Sequence, residues 1–416
     1  MNILKQKCIR HFIFVTCFIG GHVQASHTED RLDPVIVNGI FNVADFGAHP
    51  NDELSDDEAA QKALAAAQRT GGTLLFPSGV WNLEQTLILS CDPAGPGGDC
   101  TNPVSKPIQI HGANIGATRI ISSASPAVEI ESGYIPKSII FQDFWLSGNA
   151  QIGVEQHGIY LCNNNDTVAL TIERVHISTF INGDGICARG AYNARIVQNR
   201  IESVRTGIRC EECRISMIEN NRVGTFFERG IFLGMNPSNP NSKGSISVRV
   251  TANEITHVAK WDGIECAIDS VGIQVGRGHS VQVETNYFEA IRPPVGCPDM
   301  TAVGILIKPE AGITRNAIIK GNFWSGNNGN VAINVDELAH NTVLESTGGD
   351  GKIVDEGLAT TFQFHQISEE TDPKSFGGTN TTRRGWLVRN GEYTTPPPDG
   401  QIVKNPIFQL HDNTEF

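Results

Sequence analysis

The stretch that decides the fold runs from Ala194 to Val223. It reads A-R-I-V-Q-N-R-I-E-S-V-R-T-G-I-R-C over 194–210 and E-E-C-R-I-S-M-I-E-N-N-R-V over 211–223. A short alternating apolar strand runs into an Asn, a second strand follows, and a Gly-Ile strand comes after it. Then the unit begins again. Asn199-Arg200-Ile201 recurs as Asn221-Arg222-Val223, Asn253-Glu254-Ile255, Asn286-Tyr287-Phe288 and Asn322-Phe323-Trp324. Val175-His176-Ile177 and Phe144-Trp145-Leu146 fill the same slot without the Asn. Between the slots recurs a strand that opens with Gly-Ile, at Gly158, Gly185, Gly207, Gly230, Gly272 and Gly304, with Ala332-Ile333 as a variant.

A period of about 22 residues at its tightest, made of short period-2 strands and turn residues, indicates a solenoid. No Leu consensus of a leucine-rich horseshoe is present, and no 3.6-residue period of a helical repeat. Three short strands per coil, stacked in parallel, give an all-β, right-handed parallel β-helix. A β-sandwich also spaces its strands at 8–12 residues, but has no reason to repeat one slot in register. Asn suits the bend because it tolerates the left-handed conformation, and stacked Asn side chains can hydrogen-bond along a ladder. The slots predict two columns: Asn199, Asn221, Asn253, Asn286 and Asn322 in one, and an inward Ile186, Ile208, Ile231, Ile273 and Ile305 in the other.

Residues 1–25 have the pattern of a secretory signal: Lys5, Lys7 and Arg10 at the start, an apolar run from Phe12 to Gly21, and small residues near Ala25. The run is too short to span a bilayer, and no other segment is apolar enough, so no membrane span is expected in the mature chain. Localisation is expected to be secreted, extracellular or periplasmic. Loss of three cations would make the mature chain more acidic than the formal −13 of the whole, which argues against nucleic acid as a partner. The β-helix domain is expected over 26–345, with an irregular extension over 346–416. The sequence does not address the oligomeric state.

Eight cysteines remain after residue 25, an even number that favours disulfides in an exported chain. Cys266 and Cys297 stand in consecutive insertions before Gly-Ile strands, so stacked coils would bring them together. Cys91 and Cys100 would close a local loop. Cys210 and Cys213 have CxxC spacing without the second pair a zinc site needs; a local bridge or bridges to neighbouring coils are both compatible, and the pairing of Cys162, Cys187, Cys210 and Cys213 stays open. Near the N-terminus, Ser55-Asp-Asp-Glu58 reads as a capping box, followed by an Ala-rich helix to Arg69 that Gly71-Gly72 ends. An open solenoid exposes its core at the end, and this short helix is the natural cap.

Three segments, Asp45-Phe-Gly-Ala48, Ser55-Asp-Asp-Glu-Ala-Ala60 and Gly71-Gly-Thr-Leu-Leu-Phe-Pro-Ser-Gly79, together resemble the opening of the pectate-lyase and polygalacturonase superfamily. Phage tailspikes and other surface-glycan enzymes share that opening. With the coils, the resemblance covers roughly residues 38–340. It implies a right-handed β-helix that acts on a polysaccharide, often an acidic one. Of the polygalacturonase motifs, Asn182-Gly-Asp184-Gly-Ile186 is similar to the first. Gly304-Ile-Leu-Ile-Lys308 is similar to the last, with Leu306 where the motif has Arg. The expected Asp pair one coil after Asp184 is replaced by Thr206-Gly207, and Gly278-His279-Ser280 follows its strand instead of preceding it.

Long loops on a rigid scaffold gather function. Spacing places insertions at about 234–244, 259–270 and 290–302, bounding a groove over the coils of Gly230, Gly272 and Gly304. Asp262, Arg229, Glu265, Asp184 and Arg209 are the candidate catalytic residues. Trp261, Phe232, Arg277, His279 and Lys308 are candidates for holding the glycan, the rings by stacking and the cations by charge. Hydrolysis would use paired carboxylates. Elimination would use a base such as Arg209 or Arg229 and a cation on the uronate, for which Ca2+ is compatible; no cofactor is called for with certainty. The expected function is cleavage of a glycan by one of these routes. The alternative is a non-catalytic glycan-binding or surface solenoid.

Overall fold

A computed structural model describes residues 39–90, 106–134, 136–149, 153–163, 169–236, 239, 241–259, 265–266, 269–310, 312–326, 331–345, 348–349, 351–357, 360–363, 385–389 and 392–393. All belong to the unit Ile36–Phe416. The segment 1–25, Cys91, Cys100, Trp261 and Asp262 lie outside the described residues.

The chain winds as a right-handed parallel β-helix. One coil shows the path. Arg195–Val197 lies in a first sheet, Asn199 opens a second, and the strand Arg200–Glu211 bends through a bulge into a third, the Gly-Ile sheet. Met217–Glu219 then begins the next coil beneath the same column. Among the described residues the first sheet holds twelve strands in register; the other two are joined by the long bent strands into a sheet of nineteen. A fourth, narrow ladder forms at the remaining corner from Ser245–Ile246, Gly278–His279, Thr314–Arg315 and Ala339–His340.

Both expected columns are present. Ile186, Ile208, Ile231, Ile273 and Ile305 pair in register and are fully buried, each contributing about 1.5–3 kcal/mol by burial. The five Asn are buried one above another. Asn221 Oδ1 accepts from the backbone N–H of Asn199 (3.0 Å) and from its Nδ2 (2.9 Å), while Asn199 Nδ2 also donates to Ile172 O. The same set repeats through Asn253, Asn286 and Asn322. The left-handed conformation, however, falls one residue earlier: Gln198, Asn220, Ala252, Thr285 and Gly321 have φ of 54–60°. The bend is made by the preceding residue, and Asn is required for its amide, which satisfies backbone groups that the corner would otherwise bury unpaired.

Glycine before the Ile column has a steric cause. A Cβ on Gly207 would lie 2.4 Å from both Gly230 O and a Val223 methyl carbon, and Gly185, Gly230 and Gly272 meet the same obstruction from the next coil. The next coil leaves no room there for a side chain, so the position before the Ile column is held to glycine.

Helix Asp57–Thr70 covers the N-terminal end, burying Ala60, Ala63, Leu64 and Ala67, and Gly71 ends it at φ 77°. The capping box does not form. Asp56 takes the cap position without a cap bond, and its carboxylate accepts from the N–H of His49 and Asn82. Asp57 accepts from Glu84 and Gln85. The first-turn acids thus tie the helix to the coil beneath it. At the other end, 346–416 contains strands that extend the ladders: Gly351–Asp355 on Val331–Val335, Thr361–Gln363 on Val343–Glu345, and Gly385–Arg389 on Gly351–Asp355.

Candidate functional site

On the outer face of the Gly-Ile sheet, side chains emerge at three offsets from each glycine. One residue before it stand His157, Asp184, Thr206, Arg229 and Val271. Two after it stand Tyr160, Cys187, Arg209, Phe232, Gln274 and Leu306, and four after it Arg189 and Glu211. Adjacent coils lie about 4.8 Å apart, so these rows bring groups from different coils together.

Arg209 is the centre. It donates to both carboxylate oxygens of Asp184, at 2.9 and 3.2 Å, and lies 3.7 Å from Glu211. Its guanidinium sits over the Phe232 ring at 5.4 Å. Arg189 binds Glu211 from the other side at 2.7 Å. Asp184 and Glu211 are both buried. Burial works against the charge on Arg209, but Asp184 and Glu211 outweigh it and raise its pKa well above the ordinary arginine value. Burial raises the pKa of the Glu211 carboxyl against the pull of Arg189 and Arg209. His157 Nδ1 accepts the backbone N–H of Asp184 at 3.0 Å, and the ring packs against Tyr160 at 4.5 Å.

Two further groups join from the C-terminal side. Arg229 pairs with Asp269 at 2.8 Å and donates to Gln274. Glu310 follows the strand Thr301–Ile307, yet its charged neighbours are Arg209, Glu211 and Arg229. Its carboxyl is thus within electrostatic reach of the cluster on the earlier coils. Glu310 stays solvent-exposed, while crowding about its carboxyl raises its pKa despite Arg209. Phe232, Gln274, Leu306, Val271 and Val303 face outward but are buried, so the sheet is covered there. Ile88, Glu129 and Tyr160, at the same offset on earlier coils, are part-exposed. The open surface runs from these coils up to Arg209.

The structure thus joins Asp184, Arg209 and Phe232 in one cluster, with Arg229 beside it. Phe232 is buried beneath Arg209 and offers no open ring face. Lys308 and Glu265 are exposed. Arg277 lies beyond the end of its strand, its guanidinium 3.1 Å from where a Cβ on Gly312 would stand. His279 belongs to the narrow corner ladder, against Ser280 and Asn316. Next to it, a shallow depression lined by Ser280, Gln282, Asn316, Ile318, Asn341 and Val343 opens away from the cluster. His157, Tyr160, Arg189, Glu211 and Glu310 are absent from the residues that insertion spacing selects; counting the three offsets from each glycine finds all but Glu310. Among the described residues no group of three His, Cys, Asp or Glu side chains is placed to hold a metal ion.

Cys266–Cys297 forms as the stacking of the insertions predicts, with Cα atoms 5.7 Å apart. Cys297 rests with Phe227 and Met300 in a small apolar cluster flanked by Val258. Cys162–Cys187 joins consecutive coils, and Cys210–Cys213 closes locally round Glu211 and Glu212. Replacing Cys266 and Cys297 together by Ser is expected to cost about 2–4 kcal/mol of stability. A denaturation midpoint equal to the parent's would show that packing alone holds this wall.

No protein-family model and no curated protein matches the sequence. Solved structures do match. The Dettilon tailspike protein superposes with a TM-score of 0.52 at 13% identity, over 85% of this chain and 68% of that one. The A-module of the Azotobacter vinelandii mannuronan C-5 epimerase AlgE6 gives 0.51 at 15%, over 86% and 100%. The fold is that of the pectin-lyase-like β-helices. DFA-IIIase from Arthrobacter chlorophenolicus gives 0.50 at 12%, over 85% and 92%. At such identities the likeness to these β-helices is one of fold, and the chemistry has to be argued from the site.

Proposed function

We propose that this protein is an exported enzyme that cleaves a polysaccharide by hydrolysis, on the outer face of the Gly-Ile sheet around Arg209. The observation that carries the reading is the gathering of Asp184, Glu211 and Glu310 about one guanidinium. Hydrolysis of a glycosidic bond uses an acid and a second carboxylate, and a carboxyl whose pKa is raised keeps its proton at a pH where ordinary carboxylates have lost theirs. Glu310, exposed and raised, is the candidate general acid. Glu211 is the candidate second carboxylate. Arg209 is kept cationic, so it serves as a fixed positive charge and not as the base that elimination requires. Tyr160 is a poor base for the same reason of direction: burial raises its pKa.

The solved structures of similar fold include a protein named for mannuronan and a DFA-IIIase, which agrees with a carbohydrate substrate. The three disulfides among the described residues and the signal-like segment 1–25 support export. A second reading has its own observation. Asp184 and Glu211 are sealed in ion pairs, and a binding solenoid would need such pairs only to hold its shape.

Incubation of the purified protein with a panel of acidic and neutral glycans separates these readings. Hydrolysis predicts new reducing ends without the ultraviolet absorbance of an unsaturated product. Absorbance at equal yield would indicate elimination. Glycan binding with neither product would support the non-catalytic solenoid.

A further inference from the structure

His157 holds an unusual place in this cluster. Its Nδ1 accepts the backbone N–H of Asp184 (3.0 Å) and lies 3.6 Å from the Asp184 carboxylate. Accepting that bond requires Nδ1 to be unprotonated, so the neutral ring carries its proton on Nε2. Nε2 lies 3.3 Å from a Glu155 carboxylate oxygen. The ring is only slightly exposed and is held against Tyr160. The groups that face it from the adjoining coils are Asp184 and, through Asp184, Arg209; Arg205 lies near both Glu155 and Asp184.

We propose that His157 is a positioning residue: its Nδ1 lone pair orients the Asp184 backbone and so the Arg209 fork. Without that acceptor the Asp184 N–H loses its partner, the carboxylate that Arg209 grips is no longer fixed, and the guanidinium can shift towards Glu211. The link to catalysis rests on the reading of Arg209 as the fixed charge of the site; the coupling itself does not.

The test uses the full chain and two variants. In the His157→Asn variant, Oδ1 stands in for Nδ1 as an acceptor but cannot take a proton. In His157→Phe the acceptor is lost. In nitrogen-15 NMR the Asp184 amide and Arg209 Nε–H resonances are expected to move together from wild type to His157→Phe and to return in His157→Asn. Turnover should fall about tenfold in His157→Phe, the scale of one hydrogen bond, and His157→Asn should restore it. An Nδ1–H tautomer in wild type, or Asp184 and Arg209 resonances that stay in place in His157→Phe, overturns the proposal. If the coupled displacement is present but no glycan is cleaved, the positioning role stands and the hydrolytic reading fails.

Discussion

Replacing Glu310 by Gln is expected to lower turnover on the cognate glycan by about 10²–10⁴-fold, the usual scale of an acid–base group, with folding intact. Glu310 is the cleanest position at which to test the site. Arg209 is half-buried and its partners Asp184 and Glu211 are buried, and removing the arginine strands their charge, at about 3–5 kcal/mol. Their variants would therefore confound chemistry with stability. Glu310 is exposed and makes no ion pair among the described residues, and Gln keeps its size. Its carboxyl titrates above the ordinary glutamate range, through crowding by neighbouring atoms. A general acid works in its protonated form, so activity should fall as pH rises through that raised pKa. In Glu310→Gln the residual activity should lose this alkaline limb. Circular dichroism and denaturation curves matching the parent's would assign the loss to chemistry. Full turnover in the variant would remove Glu310 from the mechanism.

The largest stability effect is expected from the Asn ladder. Truncating Asn253 to Ala removes the acceptor of the Asn221 N–H and Nδ2, and the donor to Ile218 O and Asn286 Oδ1. These partners are buried, and each unsatisfied group costs about 1–3 kcal/mol. A total loss of about 3–5 kcal/mol follows if a buried water recovers part of it. Asn253→Asp keeps both acceptances but sets a buried carboxylate oxygen against Ile218 O and Asn286 Oδ1, so at neutral pH it should be at least as destabilising as Ala. Equilibrium denaturation checks the order. A loss below about 1 kcal/mol for Asn253→Ala would mean that the ladder is incidental to apolar packing.

The columns were legible because they depend on residue type in register. A ladder of amides must be Asn at each rung, and a buried Ile column must repeat, so both are written in the period of the chain. The position of the left-handed residue was not legible, since Gln198, Asn220, Ala252 and Thr285 share no side-chain chemistry; the ladder's geometry selects their backbone. The capping box failed for a related reason. Asp56 and Asp57 find partners in the neighbouring coil, and such tertiary bonds leave no local signature.

The candidate site was legible in part. Asp184 and Arg209 were selected from their strands, and the structure joins them directly. Loop length pointed to 259–270, whereas the charge cluster sits on the earlier coils of Gly158, Gly185 and Gly207. Loop length reports where chain has been added, not where charges converge. The offsets from each glycine would have found His157, Tyr160, Arg189 and Glu211. Glu310 was out of reach, because it lies past the end of its strand, outside the repeating offsets.

The central claim is that glycan binds on the Gly-Ile sheet at Arg209. Its most direct test is a crystal structure of Glu310→Gln with an oligosaccharide of whichever glycan the wild type degrades. The account predicts sugar along Tyr160 and Arg209, with the scissile linkage beside position 310. Sugar in the depression at Ser280 and Asn316, or on the Asn-bearing sheet with the Arg209 face empty, would contradict it.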